Sequence, residues 1–238
     1  MGRAYEVRKA SIAKTGAAKA KLYTMYAKEI YNAAKKGGND PQSNHHLKQL
    51  IERAKKEQVP ADIIKRAIDK VDSGIDETYI NLRYDGFGPP PSTIIVECLT
   101  DNVNRTVSNI RSAFSKVKAK LGVLGSVSHM YDNVCIVSFK GLNEEETLNA
   151  LINADVDVND FEVENDTIFL YGKPHDIYKI KNAITDYKND ITFDLDKVTM
   201  IPYERIKLEE SDLHSFEKLI QLLEDIDDVG KIYHNVDL

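Results

Sequence analysis

Hydrophobic positions in the first seventy residues recur at helical spacing. Leu22, Tyr23, Tyr26, Ile30 and Ala33 gather on one side of a helix that starts near Thr15 and stops at the pair Gly37-Gly38. Lys14, Lys21, Lys28 and Lys35 repeat every seven residues on the broadly opposite side. Such a repeat drifts only about 20° per step on an α-helix, so the four lysines form one stripe. Asn39-Asp40-Pro41 is turn chemistry. A second helix is predicted from Ser43 to Gln58, with Leu47, Leu50, Ile51 and Ala54 inward and Lys48, Arg53, Lys55 and Lys56 around the rest. A third begins at Pro60, where proline suits the first turn, turns Ile63, Ile64, Ala67, Ile68 and Val71 inward, and stops at Ser73-Gly74. Three short amphipathic helices with short connections make a small bundle.

From Tyr79 the period changes. Tyr79–Tyr84 and Thr93–Leu99 read as strands around the loop Asp85-Gly86-Phe87-Gly88-Pro89-Pro90-Pro91, Asn102–Lys120 as a helix, and Gly125–Met130 as a further strand. The next stretch reads as a self-contained β-α-β-β-α-β series. Its elements are strand Val134–Phe139, helix Glu144–Asn153 (Leu148, Leu151 and Ile152 inward), a hairpin of Val156–Val163 and Thr167–Tyr171, helix Pro174–Tyr187 and strand Ile191–Met200. That is the ferredoxin-like order. The tail supplies one more helix, Ser211–Ile226, and one strand, Lys231–His234, which the first β-β-α-β unit lacks. The predicted class is therefore α+β and multidomain. A three-helix bundle (1–75) precedes two α/β sandwich domains, the second (133–200) inserted into the first (76–132 and 201–238).

Charge sharpens this division. The chain has 238 residues and a formal net charge of −6. Met1–Lys70 nevertheless holds 16 Lys and Arg against 7 Asp and Glu, or +9, which leaves the remainder at −15. A cationic module carried on an anionic body implies a polyanionic partner, with phosphate backbone as the target. Arg3, Arg8, Lys9, Lys14, Lys21, Lys28, Lys35, Lys36, Lys48 and Lys55 are the expected contacts. The alternative is that the lysines only solubilise helix surfaces. Nothing in the pattern separates DNA from RNA, and no Arg/Asn/Gln cluster nominates a base-reading helix. No apolar run approaches the roughly 18 residues that cross a bilayer. The start, Met1–Ser11, lacks a secretory h-region, and Glu6 stands where myristoylation requires Ser or Thr. The basic start resembles a transit peptide in composition but runs directly into patterned helix. Cys98 and Cys135, without a C-x-x-C pair, read as buried thiols of a reducing compartment. A soluble cytoplasmic protein with no membrane partner is expected.

Two polar clusters invite a chemical reading. Thr100-Asp101-Asn102-Val103-Asn104-Arg105-Thr106 is dense between strand and helix. Asp101 and Arg105 are suited to a ligand's charge or a proton. Equally, Asp101 or Asn102 caps the helix, with Asn104 and Arg105 bonding to the Gly-Phe-Gly-Pro loop. Glu224, Asp225, Asp227 and Asp228 offer four carboxylates to Mg²⁺, or a solvated acidic rim. Acids at a helix C-terminus oppose the macrodipole, so compensation by Lys231 or a basic partner is expected. His45-His46 lacks further ligands at metal spacing. No Walker, zinc or dinucleotide motif occurs and no Ser-His or Cys-His pairing is evident, so the expectation is a non-enzyme without cofactor or metal.

Several motifs in order carry a resemblance: "AAKKGGNDPQSN", "YDGFGP", "LTDNVNRTVSNIRSAFSK", "GVLGSVSHM", "MIP" and "LLEDIDDVGKIYHN". The chain resembles the YebC/PmpR family. This implies a helical N-terminal domain and two α/β domains, the third inserted in the second. It also marks Gly86, Phe87, Gly88, Pro89, Asp101, Asn102, Asn104, Arg105, Thr106, Glu224, Asp225, Asp227 and Asp228 as family-motif positions. The implied function is a DNA-binding transcriptional regulator. The alternative is a ribosome-associated translation factor that binds ribosomal RNA and eases difficult peptide-bond formation such as proline runs. Self-association through the α/β domains is a further expectation. The sequence departs from the family pattern in its opening, Gly2-Arg3-Ala4-Tyr5. It departs again at Lys116-Val117-Lys118-Ala119-Lys120, where a glycine-rich turn is common in the family.

Overall fold

The structure is a computed structural model, described over residues 16–73 and 77–238. Three helices open it: α1 (Gly16–Gly37), α2 (His45–Lys56) and α3 (Ala61–Asp69), followed by a 3-10 turn at Lys70–Ser73. Asn44 joins the first two. Its side-chain oxygen caps α2 by accepting from Leu47 N at 3.0 Å, while its amide donates to Ala33 O and Gly38 O at the end of α1. A Cβ on residue 37 would stand 2.6 Å from that amide, so glycine is what the close approach allows. Tyr26, Ile30, Ala33, Leu47, Leu50, Ala54, Val59, Ile64 and Ala67 form the bundle core. Full burial of each Leu or Ile there contributes about 1.5–3 kcal/mol. The apolar faces drawn from the sequence are the faces that pack.

The chain separates into two units, one of which is Met130–Tyr203. The other carries the three helices together with β1 (Ile80–Phe87), β2 (Thr93–Thr100), α4 (Val103–Lys116) and β3 (Lys120–Leu121), and resumes at Glu204 with α7 (Glu210–Glu224) and β8 (Val229–His234). Its sheet runs β3-β1-β2-β8, all antiparallel. β2 is buried on both faces. Ile94, Val96 and Cys98 pack with Ile110 and Phe114 of α4 and Phe216, Leu219 and Leu223 of α7. Ile95 and Leu99 on the opposite face are also buried, and α1 lies against this strand. The tail thus supplies the helix and strand that β1, β2 and α4 need.

Two expectations here are corrected. The helix after Asn102 ends at Lys116, because Lys118 takes a left-handed φ of 57° and the chain turns back. The third strand is Lys120–Leu121, paired with Phe87 and Gly86, whereas Gly125–Met130 is a turn and a 3-10 segment. The buried carboxylate of Asp85 organises that turn by accepting from Gly125 N at 2.9 Å and Val127 N at 3.2 Å. Gly86 and Phe87 belong to β1 rather than to a loop.

The second unit contains β4 (Tyr131–Phe139), α5 (Glu144–Asn153), β5 (Asp160–Glu164), β6 (Thr167–Gly172), α6 (Ile177–Tyr187, entered through a 3-10 turn from Pro174) and β7 (Phe193–Pro202). The order β5-β6-β4-β7, wholly antiparallel, is ferredoxin-like. Cys135, Val137, Phe139, Leu151, Ile168, Leu170, Ile180 and Ile184 fill its main core. A capping box between Asn143 and Glu146 fixes the start of α5, and its phase buries Thr147, Ala150 and Leu151. Leu148 and Ile152, expected inward, are 42% and 73% exposed.

Candidate functional site

Three stripe lysines turn inward, Lys21 and Lys28 toward the C-terminal end of α7 and Lys35 toward the segment that leads into β1. Lys21 Nζ donates to the carbonyl of Glu224, the last residue of that helix. Lys28 Nζ lies 3.3 Å from Asp228 Oδ1. Lys35 Nζ donates to Glu77 O at 2.6 Å and Thr78 Oγ1 at 3.0 Å. The stripe is therefore a seam inside the unit and not an open cationic strip, which corrects the sequence reading for Lys21, Lys28 and Lys35. For Lys21 and Lys28 the physical reason is that α7 ends in backbone carbonyls and a run of acids, which their ammonium groups meet; Lys35 instead satisfies a backbone carbonyl and a hydroxyl before β1. Lys231, named as the compensating charge, stands 4.0 Å from Glu97 instead.

Asp228 is the hub of this seam. It is 4% exposed and receives Arg105 Nη2 at 2.9 Å on both oxygens, Arg105 Nε at 3.2 Å and Thr106 Oγ1 at 2.9 Å. Burial by itself would raise its pKa. The bonds from Arg105, Thr106 and Lys28 outweigh burial and hold the carboxyl below its usual range. Lys21 is shifted down by burial, against the opposing pull of Glu224, Asp227 and Asp225. The acid run is thus part buried anchor (Asp228) and part exposed rim (Glu224, Asp225, Asp227).

The dense polar stretch resolves into parts of the same anchor. Asn102 caps α4 by accepting from Arg105 N at 3.0 Å. Asp101 accepts from Arg105 Nη2 at 2.7 Å, and that bond lowers its pKa. Thr106 Oγ1 also meets Thr100 Oγ1 at 2.9 Å, while Asn104 is exposed. Arg105 reaches Asp228 and not the Gly-Phe-Gly-Pro turn. That turn closes on itself: Gly88 N donates to Ser92 O, and Ser92 Oγ and N to Pro89 O.

Beside the anchor opens a cleft of about 800 Å³, lined by Thr24 and Lys28 of α1, by Tyr79 and Asp101, by Arg105, Asn109, Ser112, Ala113 and Lys116 of α4, and by Leu222, Asp225, Ile226, Asp227 and Asp228. Its walls carry both signs. Lys28 Nζ stands 5.6 Å above the Tyr79 ring. Asn109 and Ser112 were not singled out from sequence, and Lys116 only as a departure from the family pattern. Their spacing, one polar face of α4, was the available signal. Cys98 borders the seam, but burial and then Asp228 push its thiol up to about 12, so it is no thiolate near neutrality. Among the described residues no three His, Cys, Asp or Glu side chains are grouped to hold a metal.

Of the remaining expected contacts, Lys36, Lys48 and Lys55 are exposed. Arg3, Arg8, Lys9 and Lys14 lie outside the described residues. No described helix is long and apolar enough to cross a membrane.

Residues 3–74 match the TACO1/YebC protein N-terminal domain, and residues 79–236 match the TACO1/YebC second and third domain. The chain belongs to the TACO1/YebC family. A probable transcriptional regulatory protein of Vibrio parahaemolyticus is 47% identical over 238 residues, covering 100% of both chains. Another, from Shewanella oneidensis, is 48% identical over 238 residues, covering 100% of this chain and 99% of its own. The crystal structure of a conserved hypothetical protein from Aquifex aeolicus superposes with a TM-score of 0.73 at 28% identity, covering 94% of this chain and 92% of that one. In TACO1/YebC terms, the seam joins the N-terminal domain (Lys21, Lys28) to residues of the second-and-third-domain match (Arg105, Glu224, Asp228).

Proposed function

We propose that this protein is a nucleic-acid-binding regulator of gene expression in the cytoplasm, acting by association and not by catalysis, with duplex DNA as the first target. The observation that carries the reading is the cationic outer side of the bundle. Lys48 and Lys55 are exposed on one face of α2, two turns or about 10.5 Å apart, and Lys36 is exposed at the end of α1. Glu52 shares the face, so the attraction is moderate and directed at the phosphates. The names of the Vibrio and Shewanella relatives favour transcription. The buried, protonated Cys98 and the fully engaged Asp228 favour a protein without a reaction centre.

A second reading, ribosomal RNA, is favoured by one feature of the same face. The exposed cations of α2 are lysines, Arg53 of α2 is only half-exposed and exposed Arg66 of α3 is paired with Asp62, which leaves few bidentate donors for base edges. Backbone contact of that kind suits folded RNA as well as duplex DNA.

The test is binding of purified protein to promoter duplexes and to ribosomes between 50 and 200 mM salt. Replacing Lys36, Lys48 and Lys55 with alanine should flatten the log–log salt slope on duplex DNA by about 2.7. Failure of the parent protein to bind either target at 50 mM salt would dispose of the proposal. Retention by ribosomes alone would select the second reading.

A further inference from the structure

Residues 102–131 of the otherwise acidic body contain Arg105, Arg111, Lys116, Lys118 and Lys120 and not one Asp or Glu. Arg105 is spent on Asp228, and Lys116 lines the cleft. Arg111, Lys118 and Lys120 are exposed, Arg111 within α4 and Lys118 and Lys120 where the chain passes from α4 into the edge strand β3.

Lys118 is the informative member. The end of α4 is closed by Lys118 N donating to Ser115 O at 3.1 Å and Ala119 N to Phe114 O at 2.9 Å, with Lys118 at a φ of 57°. This is the Schellman arrangement, whose left-handed position glycine fills without strain. A lysine there is disfavoured by backbone geometry, while its cation stands just past the last carbonyls of α4, where the helix dipole favours it. Gln58 after α2 and Asp155 after α5 fill the same left-handed position with the same bonds, so what sets Lys118 apart is its positive charge.

Next to these cations the turn after β3 presents Val123 and Leu124, 78% and 70% exposed. The turn is held from beneath by Asp85 through Gly125 N and Val127 N, by Gly122 N donating to Asp85 O at 2.9 Å, and by fully buried Val127. An apolar tip on a braced base, flanked by cations without neighbouring acids in sequence, matches a polymer that offers phosphates and apolar faces together. A duplex hides its base faces; a single-stranded stretch exposes them.

We propose that Arg111, Lys118, Lys120 and the Val123-Leu124 tip form a second nucleic-acid site, on the α/β domain, that takes a single-stranded segment of RNA or DNA. The cations neutralise consecutive phosphates while the tip lies against unstacked bases. The proposal rests on the nucleic-acid reading above but assigns a different surface.

The experiment uses the full chain and labelled single-stranded RNA, single-stranded DNA and duplex DNA of one sequence, titrated at several salt concentrations. Lys118→Gly should raise Tm by about 2–4 °C, as strain is relieved, yet weaken single-strand binding several-fold. Lys118→Gly with Lys120→Ala should flatten the single-strand salt slope by about 1.4. Val123→Ser with Leu124→Ser should weaken single strands and leave the slope and duplex binding unchanged. RNA bound more tightly than single-stranded DNA would identify RNA as the source, and the reverse would identify DNA. If the lysine pair leaves affinity and slope intact while alanines at Lys36, Lys48 and Lys55 reduce duplex binding, this site is refuted and the proposed function stands. If the parent binds none of the three, this site is refuted and the duplex-DNA reading is lost with it, and only retention by ribosomes would keep the proposed function. Loss of binding to phosphatidylserine vesicles with unchanged nucleic-acid binding would also overturn the assignment, in favour of a lipid surface.

Discussion

Arg105 Nη2 stands 2.9 Å from both carboxylate oxygens of Asp228, across 123 residues of chain. The pair closes the start of α4 onto the turn between α7 and β8, so it holds the discontinuous domain together across the point of insertion. The two partners are unequal: the Asp228 side chain is 3% exposed and that of Arg105 46%. Asp228→Ala should destabilise by about 3 kcal/mol, as for a buried pair broken at one partner. Arg105→Ala should be milder, about 1–2 kcal/mol, since Thr106 and Lys28 still hold the carboxylate and solvent screens the guanidinium. Urea unfolding of both variants and their double mutant should give a coupling energy of about 1 kcal/mol or more. Additive effects would mean that the pair is not an anchor.

The inward stripe separates stability from binding. Lys21→Glu and Lys28→Glu place a negative charge beside the Glu224 carbonyl and Asp228, and each should destabilise by about 2 kcal/mol or more. The same reversal at exposed Lys48 or Lys55 should stay within about 0.5 kcal/mol. Denaturation midpoints decide this, and equal effects at the two pairs would contradict an internal seam.

Acid sensitivity should arise from His234. Burial, followed by the nearby positive charge of Arg205, pulls its pKa down from 6.5 to about 4, and its ring packs edge-on to Phe216 at 5.2 Å. The native state therefore keeps the imidazole neutral, whereas the unfolded chain takes up a proton near pH 6.5. The contribution, on the order of 3 kcal/mol, is present above pH 6.5 and is lost as pH falls through about 4. His234→Gln should show a shallower fall in unfolding free energy between pH 7.5 and 4.5 than the parent. Parallel curves would place the titrating group elsewhere.

Gly86 lies under the Phe114 ring. An added Cβ would sit 2.4 Å from Cε1 and 2.6 Å from Cζ. Gly86→Ala should destabilise by about 1–3 kcal/mol through overpacking, and Phe114→Leu in the same chain should recover part of the loss. The readout is thermal unfolding of the single and double variants.

Much of this architecture was legible one element at a time. The 3.6-residue spacing of Tyr26, Ile30 and Ala33 and of Leu47, Leu50 and Ala54 named the faces that form the bundle core. Element order alone predicted the ferredoxin-like series, whose strand order β5-β6-β4-β7 the structure has. The exceptions were the left-handed Lys118 that ends α4 early, and the packing of α5, which buries Thr147, Ala150 and Leu151 and leaves Leu148 and Ile152 outward. Neither leaves a periodic signal, since one depends on a single residue's dihedral angles and the other on how a helix packs.

The sequence by itself determined that charge is divided between a cationic front and an anionic body, because charge counts and helical repeats are local properties of the chain. Only the tertiary structure decided where that charge goes. Lys21 meets the Glu224 carbonyl and Lys28 meets Asp228 across about two hundred positions of chain, because a buried carboxylate and the end carbonyls of a helix draw in the cations that the fold can deliver. Which lysines are consumed inside the molecule and which stay outside depends on packing, which no linear pattern records.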